Sequence, residues 1–308
     1  MNLDDKVFEI LNSENEIKAA GDKFDPRLRE ITIRHLLEHR GGWDRNQSFD
    51  AMFQSIRFAK QVGVDAPADQ TAVIKAMFSQ KLDFNPGERY AYSNFGYCLL
   101  GRVIEKTSGQ NYVDYVQNKV LAPIGITTMR IGATRLDGRA TKEVRYYQAG
   151  TGKSVFEADL DQETPHPYGA WNLESMDSHG AWIASAGDLA KFAAAFDDPN
   201  NCPILSYESI ELMYRRPPGL AGHAEDGSKK DVFYSLGWSN RVLKGGRINH
   251  WHTGSLPGTA AILIRRHDGR NFVALLNCRV SPSANHLGRA IDSLLHKAAN
   301  QVTDWPTE

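Results

Sequence analysis

The sequence predicts an α+β fold in which helices are segregated from one antiparallel sheet. Residues 1–230 have the apolar spacing of helices joined by loops, whereas residues 231–308 contain four β-rich runs and a closing helix. Glycine-containing pairs separate some of the runs, which is typical of strands joined as hairpins. The prediction is therefore a mainly helical region followed by a sheet and a helix, and the two regions are expected to fold as one integrated unit.

Capping residues and apolar spacing predict the helices of the first region. The run ITIRHLLEHR begins at a cap candidate, Thr32, and is expected to stop at the glycine pair 41–42. ADQTAVIKAMFSQKL and NYVDYVQNKVLAPIGI are also helical in pattern, the second ended by Pro123. Ser185 has an acidic residue three positions later, which is the spacing of a capping box. The segment VRYYQAGTGKSVFEA is expected to form a hairpin about its glycine-rich turn.

The four β-rich runs predict an antiparallel meander. Gly245-Gly246 is expected to join the first pair of runs and Asp268-Gly269 the last pair, because both are favoured hairpin turns. A helix is expected over about residues 285–299. A sheet has two edges, and one edge strand is expected to lack a partner within this chain. The runs are VFYSLGWSNRVL, RINHWHTG, TAAILIRRH and NFVALLNCR.

Composition and missing motifs argue against several classes of function. Lys and Arg total 36 against 37 for Asp and Glu, so a net charge of −1 indicates neither a nucleic-acid partner nor an anionic membrane surface. No apolar run of roughly 18 residues could span a membrane. There is no GxSxG and no HExxH, and AGTGKS lacks the first glycine of a phosphate-binding loop because Tyr147 stands there. No cofactor is expected.

Cysteines and histidines leave one minor alternative. Three cysteines, far apart and without CxxC spacing, indicate buried or free thiols. His35 and His39 are four residues apart on a helix, and His250 and His252 are two apart in a strand. A structural role is favoured because no third ligand lies nearby in sequence, but a metal-dependent hydrolase stays open as a distant alternative.

Two polar fragments stand out from this background. Tyr92-Ser93-Asn94 lies directly before a well-patterned helix, where Ser93 or Asn94 could simply cap the helix. His252-Thr253-Gly254-Ser255 ends a predicted strand, where glycine would allow a ligand close to the backbone. Each fragment alone has an ordinary structural explanation, so the order and separation of the two matter more than either one.

Together the fragments resemble two of the three motifs of the serine β-lactamase and penicillin-binding-protein superfamily. The segments ITIRHLLEHRGGW, NPGERYAYSNFGYCLLGRVIEKTSG, SAGDLAKF and HTGSLPGTAAILIRRHDG are similar to its class C-type branch. That branch includes class C β-lactamases, D-amino-acid peptidases and amidases, and β-lactamase-like esterases. The resemblance runs from about Leu3 to the last helix, and it implies a β-lactamase/transpeptidase-like sheet flanked by helices.

The resemblance implies a role for each matching residue. Tyr92 matches the general base or proton relay, and Asn94 matches the amide that orients a catalytic lysine and the substrate. His252, Thr253 and Gly254 match the strand motif, with histidine where lactamases carry lysine. The backbone N–H of Ser255 matches one oxyanion-hole donor. The catalytic set is therefore Tyr92, Asn94, His252 and Ser255, and the substrate-binding set is Ser93, Thr253 and Gly254.

The first motif of that superfamily, Ser-x-x-Lys, is missing. No serine or threonine in the 308 residues has lysine three positions later. The segment NLDDKVFEIL resembles the stretch that comes after this motif in the superfamily, so the chain is expected to begin just after the nucleophile and to lack the first strands of the sheet. If Met1 is the natural start, the location implied is cytoplasmic. An upstream segment with a signal peptide would imply a periplasmic or secreted protein.

Two interpretations of function are open. The first is a serine hydrolase scaffold for ester, amide or D-peptide substrates, impaired or inactive without its nucleophile. The second is a truncated or degenerate homologue that keeps the pocket as a binding module. The indoles of Trp43, Trp171 and Trp182 are candidates for an apolar acyl pocket, although core packing explains some of them. The exposed sheet edge is expected to favour self-association.

Overall fold

The computed structural model describes residues 1–13, 15, 23–281, 283 and 285–305. Its first region is built from helices with long connections, and its last region from one sheet and a helix, which confirms the predicted α+β class. The α-helices are α1 (Val7–Ile10), α2 (Ile33–Leu37), α3 (Ser55–Val62), α4 (Gln70–Met77), α5 (Asn94–Ser108), α6 (Tyr112–Tyr115), α7 (Ala186–Ala194), α8 (Tyr207–Met213) and α9 (Leu287–Gln301).

Predicted caps begin α2 and α7. Thr32 Oγ1 accepts the backbone N–H of His35, and the ring of His35 accepts the backbone N–H of Thr32 in return. Ser185 Oγ accepts the backbone N–H of Asp188. However, α2 ends at Leu37 and not at the glycine pair 41–42. His39, two residues beyond that end, takes a left-handed backbone conformation (φ 53°) that a helix cannot continue through.

Helix α5 is the centre of the largest apolar core. Its buried face includes Phe95, Cys98 and Leu99, and it packs against α1 and α2. The αL residue Gly109 ends it, as the sequence implies. The next helix does not run straight to Pro123. After α6 the chain forms a π-helical segment, Val116–Leu121, and a 3₁₀ turn that ends at Gly125.

The main sheet has five antiparallel strands in sequential order. They are β5 (Val232–Tyr234), β6 (Ser239–Val242), β7 (Ile248–Leu256), β8 (Thr259–Arg265) and β9 (Asn271–Leu276). The prediction of four runs was short by one strand, because a turn with Gly237 at φ 89° splits the first run into a hairpin. The predicted turns at 245–246 and 268–269 do join their strands. Strand β7 runs two residues past its predicted end at Gly254.

Short strands outside the main sheet correct one hairpin. Strand β2 (Thr151–Lys153) pairs with β3 (Glu163–Pro165), and β1 (Arg130–Ile131) pairs with β4 (Trp182–Ile183). The hairpin predicted within VRYYQAGTGKSVFEA is therefore wrong, since only its glycine-rich part forms a strand and its partner lies further along the chain. Within the connection between β2 and β3, Ser154 Oγ donates to the carboxylate of Asp159 at 2.6 Å.

Strands β5 and β9 are the two edges of the main sheet, and no strand of the described ranges pairs with their outer sides. Just past β9, the backbone N–H of Tyr147 donates to Asn277 O, and Tyr147 forms an isolated bridge with Cys278. Helix α9 begins two residues later than predicted and packs against β7, β8 and β9. The edge of β9 is thus covered at one end and open along the strand itself.

Candidate functional site

The Tyr92-Ser93-Asn94 fragment enters helix α5 as a capped turn. Ser93 is the N-cap residue, and its buried hydroxyl accepts the backbone N–H of Gly96 at 3.3 Å. Asn94 is the first residue of the helix. The capping explanation therefore holds for Ser93, while the neighbouring side chains of Tyr92 and Asn94 remain partly accessible.

A partly buried carboxylate, that of Asp50, holds the side chain of Asn94. The amide Nδ2 donates to Asp50 Oδ2 at 2.7 Å, and Asp50 Oδ1 accepts the backbone N–H of Met52. Arg45 lies 3.7 Å from the same carboxylate. Burial raises the pKa of Asp50, and the hydrogen bonds and Arg45 oppose that rise. Because its NH₂ group donates to Asp50, the Asn94 amide has a defined orientation.

Tyr92 has a cation beside it, although not a lysine. The guanidinium carbon of Arg45 lies 4.7 Å from the centre of the Tyr92 ring, a cation–π contact. Burial nevertheless raises the pKa of Tyr92, and Arg45 offsets only part of the effect. The cation is at the face of the ring, and the phenol is held neutral.

His39 is buried behind this corner. Its Nδ1 accepts the backbone N–H of Ser93 at 3.2 Å, and its carbonyl accepts the backbone N–H of Ala91 at 2.9 Å. The ring centre of His39 is 4.3 Å from that of Tyr92 and 4.6 Å from that of Tyr234. Burial holds the pKa of His39 well below its usual range.

The second fragment lies within β7 and is exposed over most of its length. Thr253, Gly254 and Ser255 are exposed, and His252 is partly buried. His252 Nδ1 lies 3.0 Å from the carbonyl of Thr253, which can only accept, so Nδ1 carries the proton. Nε2 is then an acceptor, and the Tyr234 hydroxyl donates to it at 3.0 Å. Burial lowers the pKa of His252.

Contacts between aromatic rings connect the two fragments. Tyr92 contacts His39, His39 contacts Tyr234, and Tyr234 binds His252. The structure thus connects Tyr92, Ser93 and Asn94 to His252 through two residues that the sequence did not assign to the site. Ser255 lies three residues further along β7, where its hydroxyl is 3.2 Å from His286 Nε2.

The space above Gly254 is open, and a ligand close to its backbone stays a prediction. Gly254 lies inside β7, not at its end, and a β-carbon there would meet only Ala261 at an ordinary 3.4 Å. The tight turn after the strand is at Gly258, where φ is 88°.

A cavity of about 140 Å³ adjoins the Tyr92 corner. Of the three indoles considered for a pocket, only Trp43 lines this cavity. Trp171 is in the main core and Trp182 packs against Tyr112. The cavity wall combines apolar and cationic side chains, including those of Trp43, Phe49, Met77, Phe95, Arg45 and Lys81.

The four histidines considered as metal ligands each have at least one ring nitrogen in a hydrogen bond within the protein. Nδ1 of His35 and Nδ1 of His39 each accept a backbone N–H. His250 Nδ1 is 2.6 Å from Asn240 Oδ1. Within the part of the chain that the structure describes, no three His, Cys, Asp or Glu residues are grouped so as to hold a metal ion. The same ranges contain no helix that is both long and apolar enough to cross a membrane.

Four residues of this arrangement were not predicted as site residues. His39 was considered only as a metal ligand, and Tyr234 only as part of a strand. Asp50 and Arg45 lie in a loop, where the only sequence signal is that aspartate favours helix N-caps. Their contacts with Tyr92 and Asn94 span 44 residues or more in sequence, which local patterns cannot predict.

Comparison with known proteins points to one family. The family model described as "Beta-lactamase" matches residues 1–296. Penicillin-binding protein 4* of Bacillus subtilis (strain 168) is 27% identical over 281 residues, which cover 87% of this chain and 57% of that protein. The chain spans about half, or less, of the length of the curated relatives it matches.

Two solved structures share the fold. A D-stereospecific amidohydrolase from Streptomyces sp. has a TM-score of 0.65 at 21% identity, over 90% of this chain and 75% of that one. The octameric penicillin-binding protein homologue from Pyrococcus abyssi has a TM-score of 0.61 at 24% identity, over 96% of this chain and 60% of that one. At these identities the likeness shows the fold alone.

Proposed function

The chain belongs to the β-lactamase family, and from that premise we propose that it provides the base and strand side of a serine hydrolase site for esters or amides. Such a hydrolase would act through an acyl-serine intermediate. The observation that carries the proposal is the series of contacts that joins Tyr92 to His252 through His39 and Tyr234. The series connects two fragments that are 160 positions apart in sequence, as a site built from both would require.

Each residue then has a role in acyl transfer. Tyr92 takes the proton of the nucleophile and returns it to the leaving group. Asn94, oriented by Asp50, presents its remaining polar atoms to the nucleophile's partner and to the substrate. Ser255 supplies a backbone N–H for the developing oxyanion. The exposed Thr253 and Gly254, together with Ser93, border the place where the substrate lies.

His252 bears on the choice of substrate. In this position it is neutral near pH 7, because burial lowers its pKa and Tyr234 donates to its free nitrogen. A neutral imidazole attracts a substrate carboxylate less strongly than an ammonium group would. We therefore favour esters and D-amino-acid amides over efficient hydrolysis of β-lactams.

A second part of the proposal concerns the activity of this polypeptide by itself. Residues 1–308 contain no Ser-x-x-Lys, so this polypeptide alone has no acyl-serine nucleophile of the family's type. Loss of the nucleophile from such a catalytic unit costs on the order of a million-fold in rate. We propose that the chain by itself is impaired or inactive, and that another segment supplies the nucleophile.

A covalent probe tests this proposal. The purified chain is incubated with a fluorophosphonate and, separately, with penicillin, and its intact mass is measured. We expect no adduct. A stoichiometric adduct would refute the proposal, and peptide mapping would then identify the nucleophile that the chain does possess. A hydrolysis panel of nitrocefin, short p-nitrophenyl esters and D-alanyl amides, with and without an added N-terminal Ser-x-x-Lys segment, shows whether activity is restored.

A non-catalytic binding module is the second candidate, and the same missing motif favours it. The cavity beside Tyr92 would then bind a ligand that is never hydrolysed. The DNA upstream of the Met1 codon separates the two hypotheses. An in-frame Ser-x-x-Lys would rule out the degenerate homologue, and a stop codon directly upstream would support it.

Self-association is a further part of the proposal. The outer side of β9 has no partner strand among the described residues, and an open edge of this kind favours pairing with another chain. The homologue from Pyrococcus abyssi is described as octameric. Light scattering during size-exclusion chromatography measures the mass in solution, and a monomer at all concentrations would contradict this part.

A further inference from the structure

His39 occupies a backbone conformation that needs an explanation. It follows the end of α2 with φ at 53°, the left-handed region that residues with a β-carbon seldom adopt. Its N–H donates to Leu36 O and its carbonyl accepts from Ala91 N–H. The second bond ties the end of α2 to the strand-like segment that leads into Tyr92.

The side chain is buried at a cost. Only 2% of His39 is exposed, and among the described residues its Nε2 has no hydrogen-bond partner. Nδ1 accepts the N–H of Ser93, so the proton of the neutral ring is on the unpartnered Nε2. A leucine would fill this space without burying the unpartnered Nε2, but it would leave the Ser93 N–H without an acceptor, so packing alone does not account for a histidine.

What the imidazole does provide is an acceptor at a defined place among tyrosine rings. It receives the N–H of the helix-capping residue Ser93. Its ring also contacts those of Tyr90, Tyr92, Tyr97 and Tyr234. Tyr234 in turn donates to His252. A shift of His39 would therefore move the backbone at Ser93 and the support of His252 together.

We propose that His39 is the positioning residue of this site, fixing the Tyr92-Ser93-Asn94 turn against the Tyr234–His252 pair through its Nδ1 acceptor. This proposal rests on the proposed function for the meaning of the site. The contacts that carry it are one hydrogen bond to Ser93 and the ring contacts of His39 with Tyr92 and Tyr234. His39 itself touches no substrate and takes no part in proton transfer.

Two substitutions at this position separate the acceptor from the bulk. His39→Asn keeps an acceptor, because Asn Oδ1 is bonded to Cγ as His Nδ1 is, and asparagine tolerates the left-handed conformation. His39→Leu keeps apolar bulk and removes the acceptor. The matched control is His35→Asn, four residues earlier, where the ring accepts the N–H of Thr32 and not of Ser93.

The readouts are hydrogen exchange of the Ser93 amide and ¹⁵N spectra of the histidine rings in the full chain. In the wild type we expect an unprotonated Nδ1 at His39 and an Nδ1-protonated ring at His252. His39→Leu should speed Ser93 exchange roughly tenfold, as expected for loss of one buried hydrogen bond. His39→Asn should restore exchange to within about twofold of the wild type, and His35→Asn should leave it unchanged.

Two results would overturn the proposal. One is Ser93 exchange in His39→Leu equal to that of the wild type, and the other is a proton on Nδ1 of wild-type His39. The second measurement needs no variant, so it decides the matter even where His39→Leu does not fold. None of these readouts depends on catalysis, so a covalent adduct that refuted the proposed function would leave this inference standing, and the reverse also holds.

Discussion

Replacing Ser93 by alanine tests whether this residue caps helix α5 or serves only a ligand. In the structure its hydroxyl accepts the N–H of Gly96, at the start of the helix in the centre of the main core. Alanine would leave that N–H without a partner in a buried position. The matched change is Ser185→Ala, because Ser185 caps α7 in the same way but is exposed.

The structure decides which of the two substitutions costs more. Ser185 makes the better bonds, accepting from Asp188 N–H at 3.0 Å and approaching its carboxylate at 2.9 Å, against 3.3 Å at Ser93. Water, however, can replace a lost bond at the exposed cap and not at the buried one. We expect a loss of about 1–2 kcal/mol for Ser93→Ala and about 0.5–1 kcal/mol for Ser185→Ala.

Urea unfolding followed by circular dichroism and tryptophan fluorescence measures both losses. Ser93→Gly should also destabilise the protein, because glycine too lacks a side-chain acceptor for the buried N–H of Gly96. An unchanged unfolding midpoint for Ser93→Ala, with a lowered midpoint for Ser185→Ala, would refute the capping argument. Ser93 would then have no capping role, and its hydroxyl would serve ligand binding instead.

Three further outcomes are expected from the charges and burial of particular groups. Arg45→Leu should raise the pKa of Tyr92 further, because the cation over the ring favours the phenolate, and Arg45→Lys should raise it less; ¹³C-tyrosine titration measures this. The free energy of unfolding should fall as the pH drops below about 6.5. Burial lowers the pKa of His39 far below that value, so the unfolded chain binds the proton more readily than the folded one. This loss should be smaller in His39→Asn. Cys98 should resist iodoacetamide in the folded chain, because burial raises the pKa of its thiol to about 12, while the partly exposed Cys202 and Cys278 react.

Local patterns predicted the elements of the fold well and their lengths less well. The α+β division, the caps at Thr32 and Ser185 and the turn at 268–269 depend on residues adjacent in sequence, so they could be predicted. The early end of α2 could not, because the left-handed His39 that follows it bonds to residues 91 and 93, more than 50 positions further along the chain. The predicted hairpin over residues 144–158 was wrong because the strand that pairs with β2 is β3, which lies outside that segment.

The residues of the candidate site also separate into those that the sequence predicted and those that it did not. Tyr92, Asn94 and His252 belong to short motifs, which a sequence can display. Asp50 and Tyr234 act on them across the fold, and neither carries a motif of its own. Residues that bind a reacting group are constrained by chemistry that leaves a recognisable pattern, whereas residues that hold such groups in place are constrained only by geometry.

Any hydrolytic activity of this site depends on the protonation state of Tyr92. Burial raises its pKa above the ordinary phenol value, so near neutral pH the chain presents a neutral hydroxyl and not a base. Arg45 cannot reverse this, because it contacts the face of the ring and shares its charge with Asp50. A phenolate would require a second cation beside the hydroxyl itself, as lysine in Ser-x-x-Lys would provide. The missing motif would therefore supply both the nucleophile and the charge that makes Tyr92 a base, so that adding a serine without its lysine should not restore turnover.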